Sequence, residues 1–168
     1  IALKSFDRFF RQKCEDYFQE KVILHNVSLI KAISKNSSQL SSDFWHYDLT
    51  GNRLKIFIIL SISNGGVPTQ FISKTHKKER LPAFIFSRLS SKVANKLYKR
   101  QIITHKAKDN SCYIFDTNIW HRGCFSDRKD NSKSSRISIQ YDVISKSKYK
   151  FLKDLNFPKV GFDNNIVY

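Results

Sequence analysis

The sequence of 168 residues lacks methionine, has only three cysteines, and contains no long apolar run. Its longest apolar stretch, residues 56–60, is far shorter than the roughly 20 residues that a membrane-spanning helix needs, and no basic segment followed by an apolar one marks a secretion signal. Cys14, Cys112 and Cys124 cannot all pair within the chain, and none lies in a C-x-x-C zinc spacing. We therefore expect a reduced, cytoplasmic protein without a membrane span. Because methionine is absent even from the first position, we expect the chain to be part of a longer product.

Acidic residues are scarce as well. The chain has 30 Lys and Arg against 14 Asp and Glu, a formal net charge of +16. Such an excess suits nucleic acid, an anionic lipid surface or an anionic small molecule. The basic residues are spread along the chain, however, and the general richness in residues with A/T-rich codons explains the excess equally well. Hydrophobic residues make up 40% of the chain, which is enough for a core and excludes a disordered tail.

Hydrophobic periodicity predicts helices first and short strands later. The predicted helices are residues 5–22, 27–33 and 84–100, with a polar loop at residues 34–42. The predicted strands are residues 53–62, 69–72, 101–104, 112–115 and 136–143. This order predicts one mainly β domain with bracing helices, a β-sandwich or jelly roll. We expect a helical part at residues 1–42, a jelly-roll core at residues 43–145 and a C-terminal extension at residues 146–168.

Three residues have the types and positions of a metal site. In the segment WHYD, the side chains of His46 and Asp48 are two apart, so they point the same way on an extended chain. His121 follows a predicted strand and a turn. Two histidines and one carboxylate occupy one face of an octahedral Fe(II) ion and leave three positions open. Each histidine alone is more typical of an ordinary structural residue, so the prediction depends on the combination.

A fourth candidate is Arg136, which opens an alternating strand. Arg136, Ser138 and Gln140 are predicted to face one side of this strand, and the intervening apolar residues face the other. An arginine aimed into a sheet interior is costly unless an anion meets it. Its planar guanidinium binds a carboxylate through two hydrogen bonds, to which a serine hydroxyl adds a third. A surface ion pair is the alternative explanation for Arg136.

The order His46-x-Asp48, His121, Arg136 resembles that of the Fe(II)/2-oxoglutarate-dependent dioxygenases. The runs WHYDLTGNRLKIFIILSISNGG, TQFISKTHK, YIFDTNIWHRG and SRISIQYDV narrow the resemblance to the phytanoyl-CoA dioxygenase family, over residues 43–143. Members of that family have a similar WHxD motif, a Leu-Lys strand, a glycine turn and an FDxxxxHRG motif. The chain departs from them where Ser73 replaces the usual proline, and in having a shorter N-terminal part, so we expect part of that region to be missing.

The resemblance implies a double-stranded β-helix, or jelly roll, with Fe(II) bound by His46, Asp48 and His121. It implies further that 2-oxoglutarate and O₂ are co-substrates in hydroxylating a small molecule, with release of succinate and CO₂. The net positive charge of the chain favours an anionic substrate. The distal carboxylate of 2-oxoglutarate would then be bound by Arg136 and Ser138, in a pocket for which Lys55 and Thr69 are weaker candidates.

Two other functions stay open. A basic jelly roll without turnover would bind an anionic ligand or nucleic acid. Zinc also accepts two histidines and a carboxylate, so a hydrolase is conceivable, but it leaves Arg136 without a role. Nucleic acid is the less favoured partner, because the related dealkylases carry a second arginine six residues after the first, where this chain has Asp142.

Overall fold

The computed structural model describes residues 2–33, 44–48, 51–76, 88–123 and 134–154. The helices are α1 (Ala2–Phe9), α2 (Arg11–Phe18), α3 (Ser91–Tyr98) and α4 (Lys146–Asp154), with a 3₁₀ turn at Lys99–Gln101. The strands are β1 (Val22–Ile33), β2 (Trp45–His46), β3 (Arg53–Ser63), β4 (Thr69–Ile72), β5 (Arg88–Leu89), β6 (Ile102–His105), β7 (Cys112–Asp116), β8 (His121–Gly123) and β9 (Ser135–Ser145). Within these ranges, no helix combines the length and apolar character needed to cross a membrane.

The strands form two antiparallel sheets whose inner faces meet. One sheet has the order β1-β9-β3-β7 and the other β5-β2-β8-β4-β6. Side chains cross the space between them: the ring of Phe71 in β4 lies 5.0 Å from that of Phe115 in β7, and the hydroxyls of Thr69 and Tyr113 are 3.1 Å apart. The two sheets therefore enclose a common interior.

The outer face of each sheet is covered by helices. Phe6 of α1 and Cys14 of α2 pack on the four-stranded sheet, where Ile56 of β3 and Tyr141 of β9 are buried. On the other sheet, the cluster of Trp45 and Ile72 packs against Ala94 of α3. These layers contain much of the apolar core, and the space between the sheets holds most of the polar and aromatic side chains described below.

The first helical region differs from the prediction. The helix expected at residues 5–22 is two helices that meet at Phe10, and α2 ends where Gln19 adopts a left-handed conformation (φ 56°). The helix expected at residues 27–33 is wrong, because this segment belongs to β1. Its apolar residues repeat at a spacing compatible with a helix, but they are mostly β-branched, and β1 pairs with β9 from Val22 to Ile33. The sheet therefore begins well before residue 43.

The predicted strands are confirmed with small shifts. Residues 53–62 and 136–143 lie in the two longest inner strands, β3 and β9, which pair over almost their whole length. Of the helix predicted at residues 84–100, residues 84–87 lie outside the described part, as do the predicted loop at 34–42 and most of the C-terminal extension. From residue 88 the chain forms the short strand β5 and then α3, because Ser90 caps that helix by accepting a hydrogen bond from Val93 N (3.3 Å).

The location of the core can be tested at two isoleucines that face each other across β3 and β7. Ile56 is fully buried, whereas its partner Ile114 is 39% exposed. We expect Ile56→Ala to lower the free energy of unfolding by about 2–5 kcal/mol, because it removes buried apolar contacts and leaves a cavity. The matched Ile114→Ala change should cost about 1 kcal/mol or less. Urea denaturation measures both, and equal losses would contradict the burial of Ile56 in the core beneath the helices.

Candidate metal site

His46 and His121 are brought together by strand pairing. Short strand β2 pairs antiparallel with β8, and the two histidines are directly opposite each other in the register. Side chains of opposite residues project to the same face of a sheet, here the inner face, and the two imidazole rings have centroids 4.4 Å apart. Two residues far apart in the sequence thus become neighbours through one backbone pairing.

Both imidazoles have the same orientation relative to the backbone. Nδ1 of His46 lies 2.7 Å from the carbonyl oxygen of Phe44, and Nδ1 of His121 lies 2.9 Å from that of Ile119. A carbonyl oxygen can only accept, so Nδ1 carries the hydrogen in each ring and Nε2 has a free lone pair. Metal-binding histidines in proteins are oriented by this kind of second hydrogen bond.

Asp48 completes the group. The ligand atoms of His46, Asp48 and His121 all lie within 4.8 Å of one another. Metal bonds of about 2.1 Å place two ligands up to roughly 4.2 Å apart, so small side-chain adjustments bring the three atoms onto one ion. The carboxylate forms an ion pair with the ammonium of Lys55, with Nζ 2.8 Å from Oδ2. In this arrangement Lys55 balances the carboxylate charge.

Electrostatics keep the three side chains in metal-binding protonation states. Burial lowers the pKa of His46 below its usual value. Burial, reinforced by the neighbouring His46, lowers the pKa of His121 to about 4. Burial alone would raise the pKa of Asp48, but the charge of Lys55 and its hydrogen bond outweigh this, so that the pKa lies below its usual value. Near neutral pH both imidazoles are neutral and the carboxylate is ionised.

The turn between β7 and β8 fixes the spacing of these ligands. The backbone NH of Asp48 donates to the carbonyl of Thr117 (3.0 Å), and the NH of Thr117 in turn donates to the carbonyl of Arg53 (3.0 Å). On the other side, the buried hydroxyl of Thr75 accepts from Trp120 N (3.0 Å) and donates to Ile72 O (2.7 Å). This threonine follows the Ser73-Lys74 turn, where the expected departure from a Pro-Gly turn is accommodated by a left-handed Lys74 (φ 62°).

A second polar group lies around Arg136, which is 6% exposed in the interior. Its Nη1 donates to the carbonyl of Val67 (2.9 Å), to Oγ1 of Thr69 (3.1 Å) and to the hydroxyl of Tyr113 (3.3 Å). The carbonyl of Val67 is presented by the predicted glycine turn, where a Cβ on Gly66 would come within 2.8 Å of Ile62. One edge of the guanidinium is therefore anchored to protein acceptors.

Other atoms of this polar group have unused hydrogen-bonding capacity. Nε of Arg136 and Oγ of Ser138 are both buried and have no hydrogen-bond partner among the described residues. Buried polar atoms are almost always paired in native proteins, and an unpaired buried charge is especially costly. A carboxylate is the acceptor that satisfies a guanidinium edge and a hydroxyl together.

Aromatic rings connect the Arg136 group to the histidines. The guanidinium lies 5.5 Å from the ring centroid of Phe57, which is stacked 6.1 Å from Phe115. The ring of Phe115 is 4.9 Å from that of His121. The metal site and the guanidinium thus occupy one interior, separated by an apolar wall.

The seven candidate residues named from the sequence lie in two different parts of the interior. His46, Asp48 and His121 converge, and Arg136, Thr69 and Ser138 line the other polar group. Lys55 instead contacts Asp48, at the metal end. The sequence analysis did not name Tyr113 as a site residue. Tyr113 and Phe115 are two residues apart on β7, a spacing that places both side chains on one face of a strand.

Comparison with known proteins gives structural matches only. No protein-family model matches the chain, and no curated protein matches its sequence. The fold is similar to that of a non-heme monooxygenase, ThoJ, solved as a nickel complex, at 10% identity and a TM-score of 0.51. It is similar also to that of EctD from S. alaskensis, solved in its apo form, at 14% identity and a TM-score of 0.58.

These matches confirm the fold prediction, a mainly β jelly roll of the double-stranded β-helix type. They extend over most of this chain, 80% for ThoJ and 82% for EctD, but the chain spans only 49% and 50% of those proteins. At such low identity the likeness concerns the fold alone.

The metal site can be tested by removing one ligand at a time. We expect His46→Ala and His121→Ala each to weaken Co(II) or Ni(II) binding by more than about 100-fold, because each removes a direct ligand and even supporting residues are worth 10–100-fold. His76→Ala removes a histidine outside the cluster and should leave affinity unchanged. Calorimetric titration measures all three, and equal affinity of the His46 variant and the parent protein would remove the metal assignment.

The pH dependence of metal binding follows from the lowered pKa values. A histidine binds a metal only when neutral, and the pKa of His46 lies below 6.5 through burial. Metal affinity should therefore stay constant as the pH falls to about 6.5 and decrease only below it, as His46 gains a proton. Titrations with Co(II) across this range test the expectation, and a loss of affinity that begins well above pH 6.5 would contradict it.

Proposed function

We propose that this protein is an Fe(II)/2-oxoglutarate-dependent dioxygenase that hydroxylates a small-molecule substrate. The observation that carries the proposal is the convergence of His46, Asp48 and His121, with Nδ1 of both histidines bonded to backbone carbonyls. Two imidazoles and one carboxylate are the facial set of non-heme Fe(II) oxygenases, in which three coordination positions stay open. The resemblance of the sequence motifs to the phytanoyl-CoA dioxygenases supports the same assignment.

The residues present fit both the metal and the co-substrate. The donor set of two nitrogens and one oxygen suits Fe(II). The uncommitted Nε of Arg136 and hydroxyl of Ser138 fit the distal carboxylate of 2-oxoglutarate. A zinc hydrolase would use the same three ligands but would leave this second group without a partner, so the iron assignment explains more of the interior.

The bound iron and 2-oxoglutarate would together supply the oxidising chemistry, in which O₂ is consumed, 2-oxoglutarate becomes succinate and CO₂, and a substrate C–H bond is hydroxylated. The protein contributes position and exclusion of water. Arg136 binds the distal carboxylate at a fixed place because three acceptors anchor its Nη1. Phe57 and Phe115 keep the space between the two sites apolar, and Lys55 keeps Asp48 ionised.

The substrate is proposed only by class. The net charge of +16 favours an anionic small molecule, because a positive surface raises the local concentration of anions. A non-catalytic binding module is not favoured, since it would not need a cluster of potential metal ligands in which Nδ1 of both histidines is bonded to a carbonyl and Nε2 keeps its lone pair. An aspartate at position 48 favours hydroxylation, because it fills the ligand position that a halide would need.

The assignment is tested by anaerobic spectroscopy. Fe(II) added with 2-oxoglutarate should give a weak visible charge-transfer band, and aerobic incubation should release succinate. We expect Arg136→Ala to weaken 2-oxoglutarate binding by the roughly 2–5 kcal/mol that loss of one partner of a buried charge pair costs, which is about 30- to 5,000-fold.

Arg100→Ala serves as the matched control, because Arg100 is an exposed arginine in the 3₁₀ turn. It should leave both the band and the affinity unchanged. Thermal denaturation of each variant separates loss of binding from loss of fold. Absence of the band in the folded parent protein, or unchanged affinity in the folded Arg136 variant, would overturn the assignment of iron or of the arginine, respectively.

A further inference from the structure

His105 contributes a third unpaired polar atom to the Arg136 group. It lies in β6 directly opposite Thr69 of β4, and its ring centroid is 4.4 Å from that of Tyr113 in β7. Its Nε2 is buried and has no hydrogen-bond partner in the part of the chain that the structure describes. Leaving a buried donor or acceptor without a partner is costly. This nitrogen, like Nε of Arg136 and Oγ of Ser138, is therefore suited to a hydrogen bond with a ligand.

The two residues that flank His105 are the ones that anchor Arg136. The guanidinium donates to Oγ1 of Thr69 and to the hydroxyl of Tyr113, and these hydroxyls are 3.1 Å apart. The imidazole and the guanidinium are therefore neighbours around the same two hydroxyl groups. They belong to different sheets, so they approach the interior from opposite sides.

The charges around His105 in the described residues come from few elements. β4 presents the uncharged Thr69, and β7 presents Tyr113, whose pKa is raised by burial so that the phenol is neutral. β9 presents the cation Arg136, and the segment after β6 carries the exposed Lys106. Burial and then the charge of Arg136 lower the pKa of His105. Without an anion, a second positive charge at this place is unfavourable.

We propose that His105 is an additional ligand of the distal carboxylate of 2-oxoglutarate, to which Nε2 donates a hydrogen bond, and that it takes up a proton when 2-oxoglutarate binds. The inference rests on the proposed function, because it assumes that this carboxylate is the anion bound by Arg136 and Ser138. Protonation of His105 would make the affinity for 2-oxoglutarate depend on pH, through a group that is not a metal ligand.

The sign of the effect follows from linkage. In the free protein His105 is neutral at pH 7, since its pKa lies below 6.5. A bound carboxylate stabilises the imidazolium and raises this pKa, so binding consumes a proton. Affinity for 2-oxoglutarate should therefore increase as the pH falls through the pKa of the complex, by about tenfold for each unit that separates the bound and free pKa values.

The experiment is isothermal titration calorimetry of the anaerobic metal-loaded protein with 2-oxoglutarate, from about pH 5.5 to about pH 8. Buffers of different ionisation enthalpy report the protons taken up. The parallel ligand is 2-oxopentanoate, which has the same keto-acid end and no distal carboxylate. His105→Gln keeps a neutral donor, His105→Phe keeps the ring against Tyr113 without a donor, and His76→Gln is the control.

We expect the protein to take up a proton when 2-oxoglutarate binds. Binding of 2-oxopentanoate, which lacks the distal carboxylate, should cause no proton uptake by His105. His105→Gln should abolish the pH dependence, and His105→Phe should in addition weaken binding by about tenfold at the acid end of the range. His76→Gln should behave like the parent protein.

Failure of 2-oxoglutarate to bind the parent protein would overturn the proposed function, and this inference with it. Tight binding with an unchanged pH profile in the folded His105→Gln variant, or the same proton uptake with 2-oxopentanoate, would overturn only the role of His105.

Discussion

The antiparallel pairing of β2 with β8 is the contact on which the candidate site depends. It places His46 opposite His121, and the two-residue spacing along the extended chain then brings Asp48 to the same place. The strand β2 has only two residues, so it has few ladder hydrogen bonds of its own. Its position is secured from its flanks, by the hydrogen bond from Asp48 N to Thr117 O and by the packing of Trp45 against α3.

The distribution of apolar residues explains how a jelly roll can have a polar interior. In a sandwich without covering layers, the space between the sheets is the main core. Here the helices cover both outer faces and bury Ile56 and Ile72 there, so much of the stabilising apolar area lies outside the sandwich. The interior can then hold Arg136, Ser138 and the metal-site residues, because the apolar layers offset the desolvation cost of burying them.

Two of the charged groups in this interior lie apart from each other. At the metal end, Lys55 pairs with Asp48 and the histidines are kept neutral by burial. At the other end, Arg136 has no carboxylate partner among the described residues and is anchored by neutral oxygens. The aromatic side chains between them, of which Phe115 contacts His121, make the intervening space apolar. An elongated dianion with one end for a metal and one for a guanidinium matches this arrangement.

The sequence determined which candidate metal-binding side chains the protein has, and it determined the position of most strands. The alternation on β9 placed Arg136 and Ser138 on one face because side chains in a strand alternate with a period of two, and the apolar run of β3 predicted a buried strand. Local patterns failed at residues 27–33, where helix-like spacing was overridden by pairing of β1 with β9.

Neither the contact of Lys55 with Asp48 nor the convergence of His105, Tyr113 and Arg136 has any local signature. The latter three residues come from β6, β7 and β9 in two different sheets. Which side chains share an interior is decided only when the sheets pack face to face, because that packing depends on contacts between residues distant in the chain. The sequence by itself therefore determined which chemical groups this protein has and how its strands alternate, whereas the tertiary structure decided which of those groups meet.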